Sequence, residues 1–107
     1  MWEEKLKTYD ALIARCPRFE RKGKTMPYTS ANGHMFSALN KAGEIGMRFS
    51  KEVQEKYMKQ LNTTLFKSYG AVMNGYILIP EEMLNDLDSL APLLDESFDY
   101  VMSLDPK

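Results

Sequence analysis

Apolar residues recur every three to four positions at the start of this chain: Leu6, Tyr9, Ile13 and Cys16, with Leu12 widening the stripe. That spacing is one face of an amphipathic helix, predicted over residues 3–14. Pro17 ends it, because proline offers no backbone N–H and its ring clashes with the preceding turn. A basic connector, residues 18–24, leads into segments that alternate. Met26-Pro27-Tyr28-Thr29-Ser30 reads as a strand, with Pro27 suited to an edge or a strand start. Asn32-Gly33 is a two-residue hairpin signal, since both central positions of a type I′ turn need positive φ. Residues 34–39 return, Asn40-Lys41-Ala42-Gly43 turns again, and residues 44–49 form a third strand. In that strand Ile45, Met47 and Phe49 share one face, while Glu44, Gly46 and Arg48 share the other. The pattern predicts one covered face and one polar face.

Ser50 is placed to cap a second helix, 51–61, with Glu52 and Glu55 near its start and Val53, Tyr57, Met58 and Leu61 inward. Asn62-Thr63-Thr64 breaks it. Two further strands follow, 65–71 and 75–79, the last apolar on both faces and so central in the sheet or beneath a helix. The remainder, 81–104, is helical, with Leu87, Leu90, Leu94, Phe98, Val101 and Met102 inward and Asp88, Asp95, Glu96 and Asp99 toward water. Pro92 suits a first turn, which predicts a short turn over 81–86 and a helix from 89. The order is α-β-β-β-α-β-β-α in a single domain spanning 1–107, a two-layer α+β fold with a five-stranded antiparallel sheet.

A chain of 107 residues, 44% of them hydrophobic, supports one core between two layers. The net charge of −1 hides a polarised distribution. Residues 1–24 carry seven basic and four acidic groups, and residues 25–80 carry six and three. Residues 81–107 carry eight acidic groups against Lys107 alone. A near-neutral total gives no long-range pull toward nucleic acid. Lone Cys16 forms no intramolecular disulfide, the start Met1-Trp2-Glu3-Glu4 lacks a signal-peptide pattern, and no apolar run approaches the ~20 residues of a membrane span. A cytoplasmic protein is the expectation.

Chemistry is sparse. His34 and Cys16 are each the only residue of their type, without the paired spacings of a zinc site. Cys16 lies on an apolar helix stripe, where cysteine behaves as a small hydrophobe. The six glycines stand singly, with no phosphate-cradling motif. The acidic run 81–99 follows helical spacing rather than the alternation of a calcium loop. Catalytic residues, cofactors and metals are therefore expected to be absent, and a small enzyme acting through His34 or Cys16 is the least favoured class. The aromatic residues Tyr28, Phe36, Phe66, Tyr69 and Tyr76 suggest one sheet face. Helix packing accounts for such a face better than base stacking, since no basic-aromatic RNA-binding motif accompanies it.

Several stretches together resemble the N-terminal domain of TfoX-type proteins in its stand-alone form. They are Arg21-Lys22-Gly23-Lys24-Thr25-Met26, Asn32-Gly33-His34-Met35-Phe36 and Gly46-Met47-Arg48-Phe49. Met73-Asn74-Gly75-Tyr76-Ile77-Leu78-Ile79-Pro80 and Ser103-Leu104-Asp105-Pro106-Lys107 complete the set. The resemblance runs from Trp2 to Lys107. It departs at Met26-Pro27-Tyr28-Thr29, where the family usually has Met-Phe-Gly-Gly. The resemblance implies a helix-flanked five-stranded antiparallel sheet similar to secretion-chaperone-like folds. Longer members are linked to regulation of DNA-uptake competence and carry a second domain, which would begin where this chain ends. It implies no catalytic residues.

The expectation is a non-enzymatic regulatory module that binds a protein partner, or itself as a homodimer, through an exposed sheet face or an edge strand. Arg48, Tyr76, Tyr28 and Asn74 are the candidate contact residues, an arginine beside aromatics being suited to recognition. The bland counterpart pairs Arg48 with an acid on the last helix and puts Tyr76 in the core. The alternative function is a nucleic-acid-associated transcription or competence co-regulator. It would contact phosphates through Arg15, Arg18, Arg21, Lys22 and Lys24.

Overall fold

The computed structural model describes residues 2–68 and 70–107. Helix α1 is Trp2–Ala14, strands β1 to β3 are Tyr28–Ala31, His34–Leu39 and Ile45–Arg48, and helix α2 is Lys51–Gln60. Strands β4 and β5 are Leu65–Ser68 and Ala71–Leu78, a 3₁₀ turn covers Glu81–Asn85, and helix α3 is Leu87–Met102. The five strands form one antiparallel sheet in the order β1-β2-β3-β5-β4. The α-β-β-β-α-β-β-α order and the two-layer α+β class expected from the pattern are both present.

Local chemistry sets the ends of these elements. The Ser50 side chain accepts the Val53 N–H and starts α2. The Asp86 carboxylate accepts from the Ser89 N–H and hydroxyl and starts α3. That cap begins α3 at Leu87 rather than 89, so Pro92 falls in the second turn, where it forfeits one backbone hydrogen bond and stays exposed. Strand β5 begins at Ala71, four residues before the expected 75. Between its pairings with β4 it carries extra residues, with Gly75 at φ +93 absorbing the bend. Tyr69, part of the expected 65–71 strand, lies outside the described residues.

All three helices cover one side of the sheet. The core there joins Tyr9, Leu12, Ile13 and Cys16 of α1 and its end to Ile45, Met47, Phe49, Ile77 and Ile79 of the sheet. Leu90, Leu94 and Val101 complete it from α3. Met102, expected inward, is half exposed to solvent on the last turn.

The key irregularity is in β2. Thr29 pairs with Ser37 but Ser30 pairs with Met35, which leaves Phe36 as an extra residue in a β-bulge. The bulge puts Phe36 and Ser37 together on the helix side, while Met35 and Ala38 face the other way. Phe36, expected on an aromatic face with Tyr28, Phe66 and Tyr76, is therefore on the opposite side from them. Its ring meets Phe19 edge-on at 4.9 Å and Phe98 at 5.8 Å, tying the connector, sheet and α3 together. Ser37 accepts or donates to the Tyr9 hydroxyl at 2.6 Å and also bonds Thr29, a chain of three buried hydroxyls linking α1, β1 and β2.

The bulge also separates β2 from the end of β3, and α3 fills the vacancy in pairing. The Ser97 hydroxyl, fully buried, donates to the Arg48 carbonyl at 2.5 Å and lies 3.1 Å from the Phe36 carbonyl. A buried carbonyl without a donor is costly, so this side chain helps to fix where α3 sits. At the far end, the Asn32-Gly33 turn has positive φ at both residues, as its sequence requires. The Asn32 side chain donates to Val101 O and Leu104 O and so closes the C-terminus of α3.

Ser97→Ala removes the only hydroxyl among the described residues that serves those carbonyls, without adding bulk. The expected cost is about 1–3 kcal/mol, which in a domain of this size lowers the melting temperature by roughly 4–8 °C per kcal/mol. A calorimetric melt unchanged from the parent protein would show that Ser97 does not hold α3.

Candidate interaction surface

The sheet side opposite the helices carries its own small cluster. Ala38, Phe66 and Tyr76 are buried there, with Tyr28, Met35, Met73 and Leu78 half-buried around them, and no helix residue takes part. Phe66 lies flat against Gly46, where a Cβ would come within 2.3 Å of the ring. The face that the β3 pattern marked as polar is thus closed over by aromatic packing, because Gly46 leaves room for a ring rather than a solvated surface.

Of the four expected contact residues, Tyr76 and Tyr28 belong to this cluster, Arg48 leaves β3 opposite Tyr76 at the end of the sheet where α3 meets it, and Asn74 is exposed on the bent part of β5. Tyr76 is only 6% exposed and its hydroxyl donates to the Met35 carbonyl at 2.7 Å, bridging from β5 to β2. It braces the sheet and cannot itself meet a partner, as its core reading had it. Arg48 is paired in register with Tyr76 and is half-buried. Its stem passes beside Gly75, where a Cβ would stand 3.5 Å from Arg48 Cγ, and its guanidinium lies 5.6 Å from the Tyr100 ring centroid. It does reach α3, but through an aromatic face rather than an acid. Among the described residues no carboxylate pairs with it and no protein group accepts a hydrogen bond from it. Tyr100 was not singled out from the sequence; it sits 52 positions away and carries no local signal.

The edges of the sheet are partly occupied. Lys22 exchanges both backbone bonds with Tyr28 on the outer side of β1, and the Lys107 N–H donates to Asn32 O beyond it. On β4 the Lys67 carbonyl accepts from the Asn40 side chain at 2.8 Å. These contacts blunt β1 and β4 as templates for an added strand.

The basic stretch around residues 15–21 and the last helix, whose acids were expected toward water, meet one another. Arg15 pairs with Asp88 at 2.8 Å, and Arg18 with Asp95 at 3.1 Å and Asp99 at 2.9 Å while lying over the Phe98 ring. Arg21 pairs with Asp10 at 2.8 Å. Glu96, expected in water, accepts the Tyr57 hydroxyl. Of the five expected phosphate contacts, Arg15, Arg18 and Arg21 are thereby engaged by carboxylates. Lys22 bonds the Ser30 hydroxyl, and Lys24 is exposed.

The nucleophile and base considered from sequence are apart. Cys16 is 1% exposed, its thiol near the Ala91 carbonyl; burial, with Asp95 adding, pushes it up to about 11. His34 instead lies beyond the C-terminal end of α3, with Nε2 2.8 Å from the Asp105 carbonyl. Among the described residues no three His, Cys, Asp or Glu side chains converge as a metal site would require. Among the described residues, no serine, cysteine or histidine lines the surface cleft of about 310 Å³ beside the Lys5–Glu81 ion pair. No described helix is long and apolar enough to cross a membrane. Neither a protein-family model nor a curated protein matches the chain.

The buried phenols give the fold an alkaline limit. Burial raises Tyr9 well above the ordinary phenol value of 10.0 and carries Tyr57 and Tyr76 up to about 12, Glu96 adding at Tyr57. Since the folded values exceed the unfolded one, their contribution is complete below pH 10.0 and is lost as pH rises toward 12. In an alkaline titration, part of the tyrosinate absorbance is expected only together with the loss of circular dichroism. Complete ionisation of every tyrosine in a still-folded protein would contradict this packing.

Proposed function

We propose that the chain is a small non-enzymatic regulatory module, akin to the stand-alone TfoX N-terminal domain, that acts in the cytoplasm by binding a protein partner through the helix-free side of its sheet. One observation carries the reading. Arg48, half-buried beside the Tyr100 ring, has no carboxylate among the described residues, whereas Arg15, Arg18 and Arg21 all do. Arginine next to aromatic rings is enriched where binding energy concentrates, and desolvation is partly complete before any partner arrives. The face is favoured over an edge strand because Lys22, Lys107 and Asn40 already occupy backbone groups along β1 and β4. Self-association through the same side is the homodimeric form of this reading.

A role on nucleic acid stands second. Three of its five cations neutralise the chain's own acids, and burial of Phe66 and Tyr76 withdraws two aromatic rings from base stacking. Its remaining support is the exposed pair Lys22 and Lys24.

The test uses three immobilised baits in host lysate, each with and without nuclease treatment: the parent chain, Arg48→Glu, and Lys59→Glu on the exposed side of α2 as a charge-matched control. A defined protein retained by the parent and the control but lost from Arg48→Glu is the expected result. Sedimentation of the purified chain identifies self-association. Equal capture by all three baits removes Arg48 from the proposal, and capture that disappears with nuclease moves the second reading forward.

A further inference from the structure

The hydrogen-bonding capacity of Arg48 that no described residue takes up specifies what a partner must bring. A guanidinium presents five N–H donors in a planar fork. Elsewhere in the described chain the arginines use theirs: Arg15 on Asp88 and Ala11 O, Arg18 on Asp95 and Asp99, Arg21 on Asp10 and Gly23 O. Arg48 makes none of these bonds among the described residues, although it is less exposed than Arg15 or Arg18. What holds it is apolar and aromatic: the Tyr100 ring at 5.6 Å and the bare backbone of Gly75 under its stem. The side chain is thus positioned while no group among the described residues occupies its donors.

Resting on the interaction-module reading above, we infer that Arg48 receives an oxyanion, and that the partner supplies it as an Asp or Glu carboxylate on an extended segment crossing the helix-free side. Charge and geometry favour a carboxylate over a phosphate. A single fork matches one carboxylate through two parallel N–H···O bonds. A phosphate draws on several cations or a nest of backbone N–H groups, and the other arginines of residues 15–21 are already bound to acids. An extended segment fits because Arg48 stands opposite Tyr76, whose neighbours Tyr28, Met35, Met73 and Leu78 are half-buried side chains along a sheet rather than the walls of an enclosed cavity.

A phage-displayed library of random peptides, panned on the intact parent chain, provides the probe. The expected winners carry Asp or Glu within an apolar context and shift the amide resonances of Arg48, Asn74 and Tyr28. Their affinity is expected to fall about 10- to 100-fold for Arg48→Gln, the effect of losing a charged hydrogen-bond pair. Arg48→Lys, which keeps stem and charge, should lose less and guards against a folding defect. Winners without acidic residues that shift the same amides and bind Arg48→Gln equally would overturn the carboxylate inference and leave the interaction surface standing. Displacement of acidic winners by inorganic phosphate more readily than by acetate would reassign the ligand to phosphate and overturn it too. No enrichment, or shifts confined to the helices, would overturn both.

Discussion

The bulge at Phe36 is the constraint from which the rest of the molecule is arranged. A regular strand would send Phe36 and Ser37 to opposite faces. The extra residue sends both to the helices, and each recruits one: Ser37 binds Tyr9 of α1, and Phe36 packs between Phe19 and Phe98 of α3. The same irregularity leaves the Phe36 and Arg48 carbonyls to be served from outside the sheet, and Ser97 serves them. A local backbone defect therefore sets the position of two helices. It also ends the β2–β3 pairing at Ser37 and Met47, so that Arg48, the last residue of β3, projects beside Gly75.

Magnitudes decide what holds this arrangement. The ion pairs of Arg15, Arg18 and Arg21 are largely exposed, and such pairs contribute about 0–1 kcal/mol each. Fully burying one of the core's large apolar side chains, such as Leu12, Phe36 or Leu94, is worth about 1.5–3 kcal/mol. The connector is thus held mainly by Phe19 against Phe36 and Phe98, and the charges choose its path. On the far side, the Phe66–Gly46 contact and the Tyr76–Met35 bond form a second, smaller core that needs no helix over it. That side therefore carries its aromatic residues without leaving a large apolar patch in water.

The order of elements was legible because it rests on local periodicity. The stripe Leu6, Tyr9, Leu12, Ile13, Cys16 and the Asn32-Gly33 turn each carry their own signal within a few residues. What was not legible depends on residues far apart. Nothing near Phe36 announces a bulge, so alternation assigned it to the wrong face. The start of β5 was hidden because Met73-Asn74-Gly75 reads as a turn while acting as a bend within one strand. The acids of α3 looked solvated, since their partnership with the basic stretch spans more than 70 positions. The candidate surface was legible only in part. Alternation set Arg48 away from Ile45, Met47 and Phe49, and the core reading anticipated the burial of Tyr76, but the contact of Arg48 with Tyr100 follows from the seating of α3.

The central claim is that the bulge joins sheet, α1 and α3 into one cooperative unit, behind which the helix-free side is held rigid. Native-state amide hydrogen exchange measures this residue by residue. The account predicts that core amides of α1, β2, β3 and α3 exchange with one shared free energy, equal to that of global unfolding. Exchange of α3 through a separate, less costly opening, with β2 and β3 still protected, would contradict it.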